Sequence, residues 1–98
     1  MAAYLIANLK VTDPAGFAEY REKVALMIAT FGGRYLVRGG KVEPVEGDLG
    51  LERLVVLEFP DMAKLRAFYD SPDYAPLITL RQSTTVSDVA LVEGYAAA

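Results

Sequence analysis

Apolar positions along this chain recur at two spacings, every second residue and every three to four, and the switches between them predict strand, helix, strand, strand, helix, strand. Tyr4 to Val11 alternates, with Leu5, Ala7, Leu9 and Val11 on the drier face and Tyr4, Ile6, Asn8 and Lys10 on the other. Asp13 then supplies an N-cap and Pro14 a first-turn proline. Phe17, Tyr20, Val24, Met27, Ile28 and Phe31 follow at helical spacing until Gly32-Gly33 ends the run. Arg34 to Arg38 reads as a short second strand closed by Gly39-Gly40. A polar connection from about Lys41 to Glu52 carries Pro44, Gly47 and Gly50 and is expected to be exposed or to pack on a second subunit. Arg53 to Phe59 is a third strand. Pro60-Asp61 opens a second helix with Leu65, Phe68 and Tyr69 inward, and Ser71-Pro72 stops it. A short helical turn is expected around Tyr74 to Gln82, where Pro76 restricts regularity. Thr85 to Val92 is the last strand, before a small-residue tail of Ala96, Ala97 and Ala98.

Two strand-helix-strand halves predict a single α+β domain over residues 1–98. Its form is a ferredoxin-like βαββαβ plait, a four-stranded antiparallel sheet with the helices on one face. The opposite sheet face should alternate with polar residues if water covers it. Instead the third strand is apolar on both sides, with Val55, Leu57 and Phe59 against Leu54 and Val56. A second copy packed sheet on sheet would cover that face, so the chain is expected to be a homodimer.

Composition points the same way. Over half of the 98 residues are hydrophobic (53%), and mean hydropathy is +0.24, more apolar surface than one small sheet-and-helix layer covers. A net charge of −3 with dispersed basic residues argues against nucleic-acid binding, which relies on clustered Lys and Arg to displace counterions. The absence of cysteine removes disulfide and thiolate chemistry. The absence of histidine removes the commonest metal ligand and the side chain that titrates nearest neutrality. No metal site and no cofactor are therefore expected. The N-terminal stretch lacks the pattern of a signal peptide, and no apolar run reaches the roughly 20 residues of a membrane span, so a cytoplasmic protein without membrane partners is expected.

Six segments in order resemble the family called domain of unknown function 1330: Gly32-Gly33-Arg34-Tyr35-Leu36-Val37-Arg38-Gly39-Gly40; Glu46-Gly47-Asp48; Arg53-Leu54-Val55-Val56-Leu57-Glu58-Phe59-Pro60; Phe68-Tyr69-Asp70-Ser71-Pro72-Asp73-Tyr74; Leu80-Arg81; and Val92-Glu93-Gly94. The resemblance spans nearly the whole chain. It implies the dimeric α+β barrel superfamily, whose members include cofactor-free monooxygenases, haem-degrading and haem-binding proteins and lactone isomerases; the family itself brings no established activity. Leu49 departs from the pattern, since relatives often carry an aromatic residue after Gly47-Asp48. Haem-using members of the superfamily generally present a histidine to the iron, and this chain has none. Cofactor-free oxygenases of the superfamily act on polycyclic substrates in cavities lined by Trp, Asn, Tyr or Arg. Here Asn8, Tyr35, Arg38 and Tyr74 are present but Trp is not.

Polar residues on apolar strands are the candidate site. Glu58 and Asn8 are the catalytic candidates. Glu58 either pairs with Arg38, Arg34 or Arg81, as buried charges commonly do, or serves as a general acid or base beside Asn8 and Arg38. Tyr35, Arg38, Tyr74 and Arg81 are the candidate ligand-binding residues, the arginines suited to a carboxylate. Arg34 and Arg38, four apart in a strand, are expected on one face. The glycine pairs reverse the chain; neither sits between a strand and a helix as a phosphate loop does. Three readings follow: a dimer that binds a small carboxylated or phenolic ligand, a cofactor-free monooxygenase- or isomerase-like enzyme, and a purely structural dimer.

Overall fold

In the computed structural model, which describes residues 1–96, the chain runs β1 (Ala3–Val11), α1 (Pro14–Thr30), β2 (Arg34–Arg38), β3 (Arg53–Phe59), α2 (Met62–Tyr69), α3 (Ala75–Thr84) and β4 (Thr85–Glu93). The end of the small-residue tail, Ala97 and Ala98, lies outside the described residues. Asp13 and Asp61 cap α1 and α2, their carboxylates accepting from the Gly16 and Lys64 amides at 3.2 and 2.7 Å.

The strands form one antiparallel sheet in the order β2-β3-β1-β4, so the expected plait is the fold. The alternation in β1 decides which face is dry. Ala3, Leu5, Ala7 and Leu9 are buried beneath the helices, joined by Leu57 and Phe59 of β3. The helices return Phe17, Tyr20, Val24 and Ile28 from α1, and Leu65 and Phe68 from α2. Phe68 is the hub of the aromatic packing, within 5.3 Å of the Phe59 ring and 4.5 Å of the Tyr74 ring. The molecule is a slab of 42 × 39 × 16 Å, one helical layer on one sheet.

Two local readings change. The segment after Ser71-Pro72 is not a brief turn but a full helix, α3, because Pro76 falls in its first turn, where the missing N–H has no helical partner to lose. In β2 the pairing runs Arg34 with Glu58, Tyr35 with Leu57, then Val37 with Val56 and Arg38 with Val55. Leu36 is thus the extra residue of a β-bulge, and the bulge reverses the facing of everything after it. Arg34 stays on the outer face, whereas Arg38 turns to the helix side with Val55.

Candidate functional site

The bulge determines what the site contains. Between α1, α3 and the sheet lies a cavity of about 40 Å³, floored by Leu5, Ala7, Leu9, Val55 and Leu57. Four arginines reach its lining: Arg21 from α1, Arg38 from β2, Arg53 from β3 and Arg81 from α3. No carboxylate lines it, and among the described residues none of the four takes part in an ion pair.

Arg81 is the most enclosed of these cations, 4% exposed. Its place is fixed through the backbone: the Thr85 hydroxyl donates to the Arg81 carbonyl at 2.7 Å, and the Thr84 hydroxyl donates to the Leu80 carbonyl at 2.8 Å. The end of α3 is tied to the start of α1, the Thr12 and Asp13 amides both donating to the Thr84 carbonyl at 2.8 and 3.1 Å. Gly16 makes this approach possible, since a Cβ there would stand 2.6 Å from the Thr84 methyl. The junction holds Arg81 over the cavity that Tyr20 lines from α1.

Tyr20 and Tyr74 share a buried hydrogen bond, 2.8 Å between hydroxyl oxygens. Burial pushes the ionisation of Tyr20, Tyr35 and Tyr74 upward from the usual tyrosine value, so all three stay neutral at ordinary pH and present hydroxyls rather than phenolates. For Arg81 the largest influence, desolvation, lowers the pKa. The tyrosines around it, Tyr74 first, outweigh that and the net shift is upward. Its guanidinium stays charged. The Nε atoms of Arg81 and Arg53 are buried without a hydrogen-bond partner.

The remaining arginines lean on rings. The Arg38 guanidinium carbon lies 4.6 Å from the Tyr35 ring centroid, and that of Arg53 lies 5.3 Å from the Phe17 ring. Gly39, at φ 70°, leaves the space that Arg53 uses: a Cβ there would sit 2.7 Å from the guanidinium carbon.

Tyr35, Arg38, Tyr74 and Arg81 thus meet at one cavity, while the two catalytic candidates lie on the opposite sheet face. The side chain of Asn8 anchors the β2–β3 connection, donating to the Gly50 carbonyl at 2.8 Å and accepting from the Glu52 amide at 2.9 Å. Glu58 pairs with Arg34, one of the three expected partners, its Oε1 accepting from Nε at 2.8 Å and lying 2.7 Å from Nη2. Register sets Glu58 against Tyr4 and Asn8 against Leu54. The two do not adjoin, and the bulge removes Arg38 from both. Sequence reasoning missed Arg53, Arg21 and Tyr20. Arg53 had one available signal, a charge in phase with the buried Leu57 and Phe59 of its own strand.

Residues 2–95 match the family described as Domain of unknown function (DUF1330). The chain belongs to this family. No curated protein matches it. Among solved structures, this DUF1330 chain is similar to the RPA0582 protein of unknown function from Rhodopseudomonas palustris. The TM-score is 0.76 at 14% identity, covering 98% of this chain and 84% of that one. It is similar also to SnoaB, a cofactor-independent oxygenase from Streptomyces nogalater (TM-score 0.62, 16% identity, 98% and 95% covered). Rv0793 from Mycobacterium tuberculosis matches at TM-score 0.58 and 16% identity, with 100% and 99% covered. At these identities the likeness carries the fold alone.

Proposed function

We propose that this DUF1330 chain is a homodimer that binds a small organic anion, a carboxylate or an acidic phenol, in the cavity between its helices and sheet. The observation that carries this reading is Arg81, a charged and almost fully buried guanidinium at an apolar cavity whose lining offers it no carboxylate. A buried charge without an ionic partner costs several kcal/mol, and an anionic ligand in the cavity would supply that partner. Arginine suits a planar oxyanion because its fork of N–H donors matches two oxygens at once.

The cavity also bears on the enzymatic alternative. At about 40 Å³ it holds three or so waters as it stands, whereas pockets for drug-sized molecules run to roughly 300–1,000 Å³. An electron-rich polycyclic substrate does not fit without large rearrangement, so a short acid is favoured over an oxygenase substrate.

Dimerisation is supported by the outer sheet face. Ile6, Val37, Leu54, Val56, Val86 and Val92 lie there with no helix over them. A four-stranded sheet of this length presents roughly 30 by 19 Å, and its side chains add relief, which approaches the ~800 Å² per partner of a standard interface. In the β2–β3 connection, Val45 and Leu49 are 91% and 81% exposed, apolar area that a second copy would cover.

Calorimetric titration of the purified protein with propionate tests the binding half. Saturable binding that weakens with salt and disappears in Arg81→Met is expected. Binding of equal strength in wild type and Arg81→Met would place the ligand elsewhere.

A further inference from the structure

A single carboxylate accounts for one guanidinium. The cavity has two whose donors are unmet: Arg81 Nε and Arg53 Nε are both buried and both lack a partner. They approach from different walls, Arg81 from α3 above and Arg53 from the start of β3, opposite Leu9 in register and on the helix-covered face. The Phe17 ring beneath Arg53 offsets its charge in part, but a ring face supplies no lone pair to an Nε–H. Each arginine is also held in place by features beyond its own stem, Arg81 by the threonine bonds at the end of α3 and Arg53 by the open space over Gly39.

We propose that the cavity selects a dianion, a short dicarboxylate whose two ends are taken by the Arg81 and Arg53 guanidinium groups. This rests on the anion-binding reading above and adds a substrate class to it. The small free volume limits the spacer to a few carbons. Tyr20 and Tyr74, neutral and hydrogen-bonded to each other, add hydroxyls at the Arg81 end without repelling a second negative charge. Arg21 and Arg38, both exposed, stand where the cavity meets solvent and contribute attraction at longer range.

Matched acids separate the two claims. The full-length protein is titrated by calorimetry, at one ionic strength, with propionate and malonate, butyrate and succinate, and valerate and glutarate, each pair differing only in the second carboxylate. At least one diacid should bind about tenfold or more tighter than its monoacid, the increment expected of an added charge-assisted contact. Arg53→Met should bring the diacid-to-monoacid affinity ratio close to one, while Arg81→Met should lose binding of both acids. Arg53→Gln, which keeps more of the side-chain length, repeats the test if the first variant folds poorly.

Equal affinity within every pair would overturn the dianion proposal and leave the anion site intact. A diacid preference that survives in both Arg53 variants would overturn the assignment of Arg53. Failure of every acid to bind would overturn the anion-site reading itself, and the proposal with it.

Discussion

Replacing Arg81 with methionine should make the ligand-free protein more stable while destroying its affinity for anions. Methionine keeps an unbranched apolar stem at this buried position of α3 and removes the guanidinium. What is lost is a buried charge with no acidic partner and an Nε–H with no acceptor. An unsatisfied buried polar group costs about 1–3 kcal/mol, and the desolvation penalty of an ion is several kcal/mol before any pairing. The tyrosines around Arg81 raise its pKa chiefly through charges they carry only when ionised, so at neutral pH their un-ionised hydroxyls return only part of this. The net gain expected for Arg81→Met is therefore about 1–3 kcal/mol. In a chain of this size each kcal/mol moves the melting temperature by about 4–8 °C. Denaturant and thermal unfolding at one fixed protomer concentration would read it, since a dimer's stability depends on concentration. Wild-type protein at a ligand concentration near 100 times Kd should gain about 2.7 kcal/mol, and Arg81→Met should gain nothing. A variant destabilised by more than about 1 kcal/mol, with the ligand response intact, would show that Arg81 is a satisfied structural residue and not the partner of an anion.

Gly16→Ala drives a methyl to 2.6 Å from the Thr84 methyl and 2.8 Å from the Asp13 carboxylate. It should cost about 1–3 kcal/mol by thermal unfolding and weaken anion binding by shifting α3. Tyr20 and Tyr74 keep their protons in the native state beyond the ordinary value of 10.0. Above that pH the unfolded chain binds fewer protons than the native one, so stability falls as pH rises past about 10. Tyr20→Phe should lose about 1 kcal/mol at pH 7 by orphaning the Tyr74 hydroxyl and show a shallower decline between pH 9 and 11; an unchanged alkaline slope in denaturant titrations would contradict this. Val56→Lys places a charge in the middle of the outer sheet face. Sedimentation should then shift from about twice the 10.7 kDa chain mass toward the monomer, with the far-ultraviolet spectrum kept. A wild-type protein that sediments as a monomer would refute the dimer.

The elements and the dry face were legible because β1 alternates cleanly and α1 carries its apolar residues on one stripe between a capping Asp13 and a closing glycine pair. The bulge was not. Tyr35, Leu36 and Val37 are all apolar, so no polar residue marks the change of phase, and strict alternation wrongly aligned Arg34 with Arg38. Whether Pro76 opens or interrupts a helix depends on where the turn from Asp70 to Tyr74 ends, which its backbone bonds show and the apolar spacing does not. Asn8 and Glu58 stood out as polar residues among apolar ones, yet on an outer face each answers a local need, a loop to anchor and an arginine to pair. A charge at a strand's first residue is ordinary, so the phase Arg53 shares with Leu57 and Phe59 is a weak signal, and its register opposite Leu9 confirms that it faces inward.

Native mass spectrometry of gently purified wild-type protein beside Arg81→Met reads directly whether Arg81 holds an anion. Wild-type protein should appear as a dimer that retains a small acidic molecule, or takes up added malonate or succinate, and Arg81→Met should do neither. An empty wild-type protein that ignores millimolar acids, and matches Arg81→Met in every spectrum, would contradict the anion site.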